Sequence, residues 1–198
     1  MVLILALTAC SVPGLWTYEK DGAGSDAGGT AGFDVDKAWT DQVLPAIQTK
    51  GVDAPELLAA IEKDPKAAAQ EHGVASAAGG SPTFAIKGSG KVTKVDADQP
   101  TGPVTVDIGD GKTVQIVTGP VILGTALRDI SGITFGDFTN QIDYQNAGTA
   151  LNNKSKTDVI ATVDKAALTG KTLEFQGAFT LLSPTSIAVV PTELKVSG

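Results

Sequence analysis

Hydrophobic positions change their period along this chain, and the changes divide it. From Phe33 to Gly51, Val35, Ala38, Trp39, Val43, Ala46 and Ile47 recur at helical spacing as one apolar stripe, broken on that face by Gln42. Asp34 stands where an N-cap belongs and Gly51 where the helix should stop. Pro45 is expected to kink or shorten the last turn, because it removes a backbone donor and crowds the carbonyl four residues back. Asp53-Ala54-Pro55-Glu56 has the acidic cap, early proline and third-position glutamate of a second helix, with Leu57, Leu58 and Ile61 on its buried face. Asp64-Pro65 opens a third, which runs through alanines to His72 and closes at Gly73. His72 in that last turn suits the negative end of the helix dipole. Val74 to Pro82 reads as a linker.

From Thr83 the period becomes two. Phe84 and Ile86 share a face, and the run through Gly88-Ser89-Gly90 to Asp96 predicts one long first strand, bent or bulged at its glycines. Val104, Val106 and Ile108 alternate with polar residues, Gly109-Asp110-Gly111 makes a tight hairpin, and Val114 and Ile116 continue on the returning strand. A long section from Gly119 to Gly170 follows, with helix expected near Asp143 to Leu151 and near Asp164 to Leu168. Leu173, Phe175, Phe179 and Leu181 then share one parity around Gly177, and Ile187 and Val189 lead a last strand that resumes with Leu194 and Val196 after Pro191. Three strands, a helical insertion and two strands fit a five-stranded OB-like Greek-key barrel, with a six-stranded mixed barrel as the alternative. The fold class is therefore α+β, mainly β. A helical annex spans 33–73 and the barrel 83–198.

The first 32 residues belong to neither part. Met1 to Ala9 is an apolar run too short to cross a bilayer as a helix, which needs about 20 residues. It ends in Leu7-Thr8-Ala9-Cys10, which matches the bacterial lipobox, so 1–9 reads as a short lipoprotein signal and Cys10 as the lipidated residue. The following stretch, with GAGSDAGGTAG from Gly22 to Gly32, has the composition of a flexible tether over 10–32. These features predict an extracytoplasmic protein held at a membrane by its anchor.

Charge and composition narrow the chemistry. The 198 residues carry 15 Lys and Arg against 22 Asp and Glu, a formal net charge of −7 with Arg128 as the single arginine. Nucleic-acid affinity depends on neutralising phosphates, so no nucleic-acid partner is expected. One Cys and one His exclude a disulfide within the chain, a Cys/His zinc site and a Ser-His-Asp or Cys-His centre worth defending. No glycine-rich run precedes a helix as a phosphate or dinucleotide loop requires. Neither a metal nor a cofactor is expected.

What remains is the central section. Arg128 offers a planar fork for a carboxylate, a phosphate or a pair of sugar hydroxyls. Asp129, Asp137, Asn140, Gln141 and Asp143 follow among Phe135, Phe138 and Tyr144. Rings that stack on an apolar sugar face, beside amides and carboxylates that meet hydroxyls, suit carbohydrate binding. The alternative is internal: Arg128 pairs with an aspartate and the amides tie down a long loop. Paired carboxylates also serve glycoside hydrolysis, but spacing in sequence places no two of these aspartates across a bond. The chain is accordingly expected not to be an enzyme.

These residues resemble those of a known family. FDVDKAWTDQVLPAI in the first helix, FAIKGSGKV from Phe84, GPVILGTALRDI from Gly119, FGDFTNQIDYQ from Phe135, LTGKTLEFQGAF from Leu168 and VVPTEL from Val189 are similar to the bacterial predicted periplasmic lipoproteins grouped as a domain of unknown function. The resemblance covers Phe33 to Val196. It implies an OB-like barrel with an N-terminal helical part, a lipid anchor and no established enzymatic activity. It further implies association with binding-protein-dependent sugar ABC transporters, and so transporter components or a carbohydrate as partners.

Overall fold

A computed structural model describes residues 32–75 and 80–198. Cys10, the lipoprotein signal and the tether up to residue 31 lie outside the described residues. Five strands close a barrel: β2 (Thr83–Val95), β3 (Pro103–Gly109), β4 (Lys112–Val117), β5 (Thr172–Thr180) and β6 (Ala188–Ser197), preceded by a two-residue strand β1 (Val52–Asp53). Around the barrel the order is β2-β3-β4-β6-β5, and β5 returns to β2. Neighbours are antiparallel except at the seam, where β4 meets β6 in parallel through Gln115↔Ala188 and Ile116↔Val189. This is the expected Greek-key barrel, and β1 makes the sheet six-stranded by lying parallel to Ile86 and Lys87 of β2.

Strand β2 makes closure possible. Its first nine residues, Thr83 to Lys91, pair with β5, and from Lys91 onward its other edge pairs with β3. At Gly90, where the partners change over, a Cβ would lie 2.0 Å from the Asp107 carbonyl oxygen. Glycine is required there by close approach of a backbone. The bulge expected at the glycines instead falls between Val92 and Lys94, where the register against β3 shifts. A second shift lies between Gln176 and Gly177, opposite Pro191 and Thr192. It explains why inward residues of β6 change from odd to even numbers after Pro191, and the Thr192 hydroxyl donates to the freed Gln176 carbonyl.

The strands are buried on two sides. Phe84, Ile86, Val106, Ile116, Phe175, Phe179 and Val189 fill the barrel, with Phe84 and Phe179 stacked at 5.4 Å. Two helices, α3 (Ala54–Lys63) and α4 (Pro65–His72), complete that core with Leu57, Leu58, Ile61 and Ala68. They therefore sit over one end of the barrel, and the Lys112–Glu62 ion pair ties them to the β3–β4 hairpin. On the outside, Ala85, Ala178 and Val190 support a second core. Ala85 and Ala178 are cross-strand partners, so two methyl groups form a shallow floor on which helices can rest.

Those helices come from two distant parts of the sequence, the N-terminal region and the insertion between β4 and β5. The first is continuous over 35–50: α1 (Val35–Ala38), a π-helical turn (Trp39–Val43) and α2 (Leu44–Lys50). Pro45 neither stops nor shortens it. The Leu44 N–H reaches back five residues to the Trp39 carbonyl, and this wider turn accommodates the proline without its missing donor. Between β4 and β5 lie α5 (Ala126–Ser131) and α6 (Gln141–Asp158). α6 runs seven residues past the expected Leu151, and the 160s hold only short 3-10 turns at Ile160–Thr162 and Lys165–Ala167. Its buried stripe continues beyond Leu151 as Asn152 and Ser155, whose side chains donate to the carbonyls of Gly124 and Pro191. Hydrogen bonds thus continue a contact that hydrophobic periodicity does not report.

The helix-covered face should tolerate added volume poorly. Ala178→Leu is expected to lower stability by about 1–3 kcal/mol through overpacking. Gln115→Leu, on the uncovered outer face, should change it by less than about 0.5 kcal/mol. Urea unfolding followed by far-UV circular dichroism measures both.

Candidate functional site

The six predicted residues of the central section occupy neighbouring places but play different parts. Arg128 lies on the buried face of α5, 8% exposed. Its Nε and Nη2 donate to Asp129 Oδ1 at 3.0 and 2.8 Å, and Nη1 donates to the Tyr144 carbonyl at 3.2 Å. The guanidinium lies 3.7 Å from the centre of the Tyr144 ring. Asp129 accepts in addition from the Thr125 hydroxyl at 2.8 Å. The Arg128 fork is thus engaged inside the protein, where it joins α5 to α6. Gly148 makes room for this junction: a Cβ there would lie 3.0 Å from Thr125 Cγ2 and 3.7 Å from Arg128 Nη1.

Asp137, Asn140 and Asp143 organise two successive helix starts. Asp137 Oδ2 accepts from the Thr134 backbone N–H at 2.8 Å and from the Thr134 hydroxyl at 3.0 Å, closing a capping box around the 3-10 turn Phe135–Asp137. Asn140 is the N-cap of α6: its Oδ1 accepts from the Asp143 N–H at 2.9 Å, and its Nδ2 donates to Asp143 Oδ2 at 2.8 Å. Gln141, the first residue of α6, is exposed. Ring contacts run from this segment to Phe33, just before the N-terminal helix. Phe138 lies 5.6 Å from Phe33 and 5.6 Å from Tyr144, and Phe135 meets Tyr144 edge-on at 5.9 Å.

Between the start of the N-terminal helix and this segment is a cleft of about 360 Å³. Gly32, Phe33 and Gln42 form one side, and Ile133, Asp137, Phe138, Thr139 and Asp143 the other. Asp137 and Asp143 therefore share a cavity, whereas Arg128 and Asp129 are not among its lining. Gln42 and Thr139 were missed as site residues. Gln42 did leave a signal, as the polar residue that breaks the apolar stripe of its helix, but nothing in the sequence says what it faces. Further along, Lys154 of α6 pairs with Asp158 and with Asp36 of α1, the bond to Asp158 being the main cause of its raised pKa. That pair also holds the Asp158 carboxyl below its ordinary range.

The relatives of the chain agree with this architecture. A model of the predicted periplasmic lipoprotein family DUF2291 matches residues 1–195. The chain belongs to that family. DUF2291 is described as periplasmic and lipoprotein in character, which places the protein outside the cytoplasm and attached to a membrane by lipid. No helix among the described residues is long and apolar enough to cross a membrane. The crystal structure of an OB-fold protein from Thermotoga maritima is similar to this DUF2291 chain, with a TM-score of 0.67 and 24% identity. The match covers 84% of this chain and 99% of that one, and it shows the OB fold. No curated protein matches.

The buried ion pair makes a specific demand. Arg128→Ala leaves Asp129 enclosed without its cation, and is expected to destabilise the protein by about 3–5 kcal/mol. The double variant Arg128→Ala with Asp129→Ala should be clearly less damaging than the sum of the two single changes, because the pair then leaves together. Guanidinium unfolding of the three variants gives the coupling.

Proposed function

We propose that this DUF2291 protein is a non-enzymatic, lipid-anchored accessory module that docks onto a sugar-uptake transporter at the outer face of the membrane. The observation that carries this reading is the surface of the insertion. Phe135 and Ile142 are 47% and 70% exposed, beside the polar groups of Asp137, Asn140, Gln141 and Asp143. Apolar anchors within a polar rim are the usual anatomy of a protein contact. The element that bears them is firmly held: Arg128 fastens α5 to α6, and the Lys154 ion pairs connect α6 to α1. Such a surface keeps its shape before docking, which reduces the entropy lost on association.

A non-catalytic role is supported by how the acidic groups are used. Asp129 holds Arg128, Asp137 caps a 3-10 turn and Asp143 closes the cap of α6, so each carboxylate already accepts hydrogen bonds within the fold. The anchor read at Cys10 and the tether after it would keep the module close to its membrane partner.

Crosslinking of the tagged, lipidated protein in native membranes tests the proposal. Transporter subunits should co-purify with it, and Cys10→Ala should reduce their recovery. Ile142→Asp should abolish recovery while the melting temperature stays within a few degrees of the parent. Recovery of the bait alone, or undiminished recovery with Ile142→Asp, would overturn this reading.

A further inference from the structure

We propose that the cleft between the N-terminal helix and the insertion is a binding site for one neutral sugar ring. The argument begins with Gln42. It lies on a helix whose neighbouring Trp39, Val43 and Ile47 are buried, and it lines a cavity opposite Asp137, Thr139 and Asp143. Gln42 is itself exposed, so its amide is available to a polar ligand in the cleft.

The lining defines the chemistry of the occupant. It contains two carboxylates and, among the described residues, no lysine or arginine, so a phosphate or carboxylate ligand would be repelled. A metal ion is also a poor fit, since no group of three or more His, Cys, Asp or Glu side chains gathers among the described residues. The carboxylates alone would suit an ammonium group. The Thr139 hydroxyl and the Gln42 amide, however, offer donors as well as acceptors, and an ammonium has no use for donors. A sugar ring uses both, since each hydroxyl donates once and accepts as well. Asp137 and Asp143 each direct one oxygen to a helix cap and have a second for a ligand hydroxyl. The Phe138 ring provides an apolar wall for the C–H face of the sugar. At about 360 Å³ the cleft falls near the lower end of small-molecule sites, roughly 300–1,000 Å³, which suits one ring better than a chain.

The inference stands apart from transporter docking, because a purified chain can bind free sugar whether or not it has a membrane partner. Isothermal titration and thermal shift of the full chain in detergent, with glucose, galactose, mannose and xylose, form the test. Choline and putrescine serve as ammonium controls. At least one neutral sugar should bind with saturation at a Kd below about 10 mM. Gln42→Ala and Thr139→Val, both at exposed positions, should each weaken it roughly three- to tenfold, equivalent to one hydrogen bond, with unchanged melting temperature in the free protein. Failure of all four sugars to bind would overturn the inference. So would binding of the ammonium compounds alone, or sugar binding that neither variant affects.

Discussion

Three barrel strands of this protein must pack on both of their faces, and the arrangement of everything else follows from that requirement. β2, β5 and β6 direct Phe84, Phe179 and Val189 into the barrel and Ala85, Ala178 and Val190 outward beneath helices. Large residues on both faces would hold the helices away from the sheet. The outer face is therefore floored by small side chains, and bulk comes from the helices, through Trp39, Val43, Ile47, Leu127 and Ile130. Helices from the N-terminal region and from the central insertion thereby form one layer. The cleft exists because that layer is shared: one wall belongs to the N-terminal helix and the other to the insertion.

The buried Arg128–Asp129 pair has to be understood within this layer. Removing an arginine from water is unfavourable unless its donors find partners. Here two donors meet a carboxylate, a third meets a backbone carbonyl, and the flat face rests on Tyr144. The position is crowded as well as polar, since Gly148 is needed for α6 to come so close. Such a junction specifies one orientation of α5 against α6, which an interchangeable apolar contact would do less well. The six site residues read from sequence accordingly divide into Arg128 and Asp129, which hold the scaffold, Asn140, which caps α6, Gln141, which is exposed, and Asp137 and Asp143, which line the cleft.

Much of the fold was legible because the apolar period changes sharply at Thr83, and because the strands occur in the order of an OB barrel. The limits of legibility have particular causes. α5 has only six residues, too few for a periodic pattern. The second half of α6 buries Asn152 and Ser155 through hydrogen bonds, so it carries no apolar stripe to follow. Pro45 has the look of a helix breaker because sequence rules assume an α-turn, whereas a single π-turn accommodates it. That Arg128 pairs with an aspartate was read from the sequence and holds, but which one was not: adjacent residues do not normally face each other on a helix, and the Tyr144 carbonyl it also reaches is 16 positions away. Gln42 was visible as an anomaly, but its meaning depends on residues about a hundred positions further along.

The shortest strand has an effect out of proportion to its length. β1 covers Ile86 and Lys87 on the edge of β2 that β3 has not yet reached. Without those two residues, the backbone there would present free donors and acceptors to any passing chain. Lipid-anchored proteins share a surface instead of a volume, so their mutual encounters are frequent. For such a population an uncovered edge is a route to strand-by-strand polymerisation, and a turn of backbone between two helices is enough to close it.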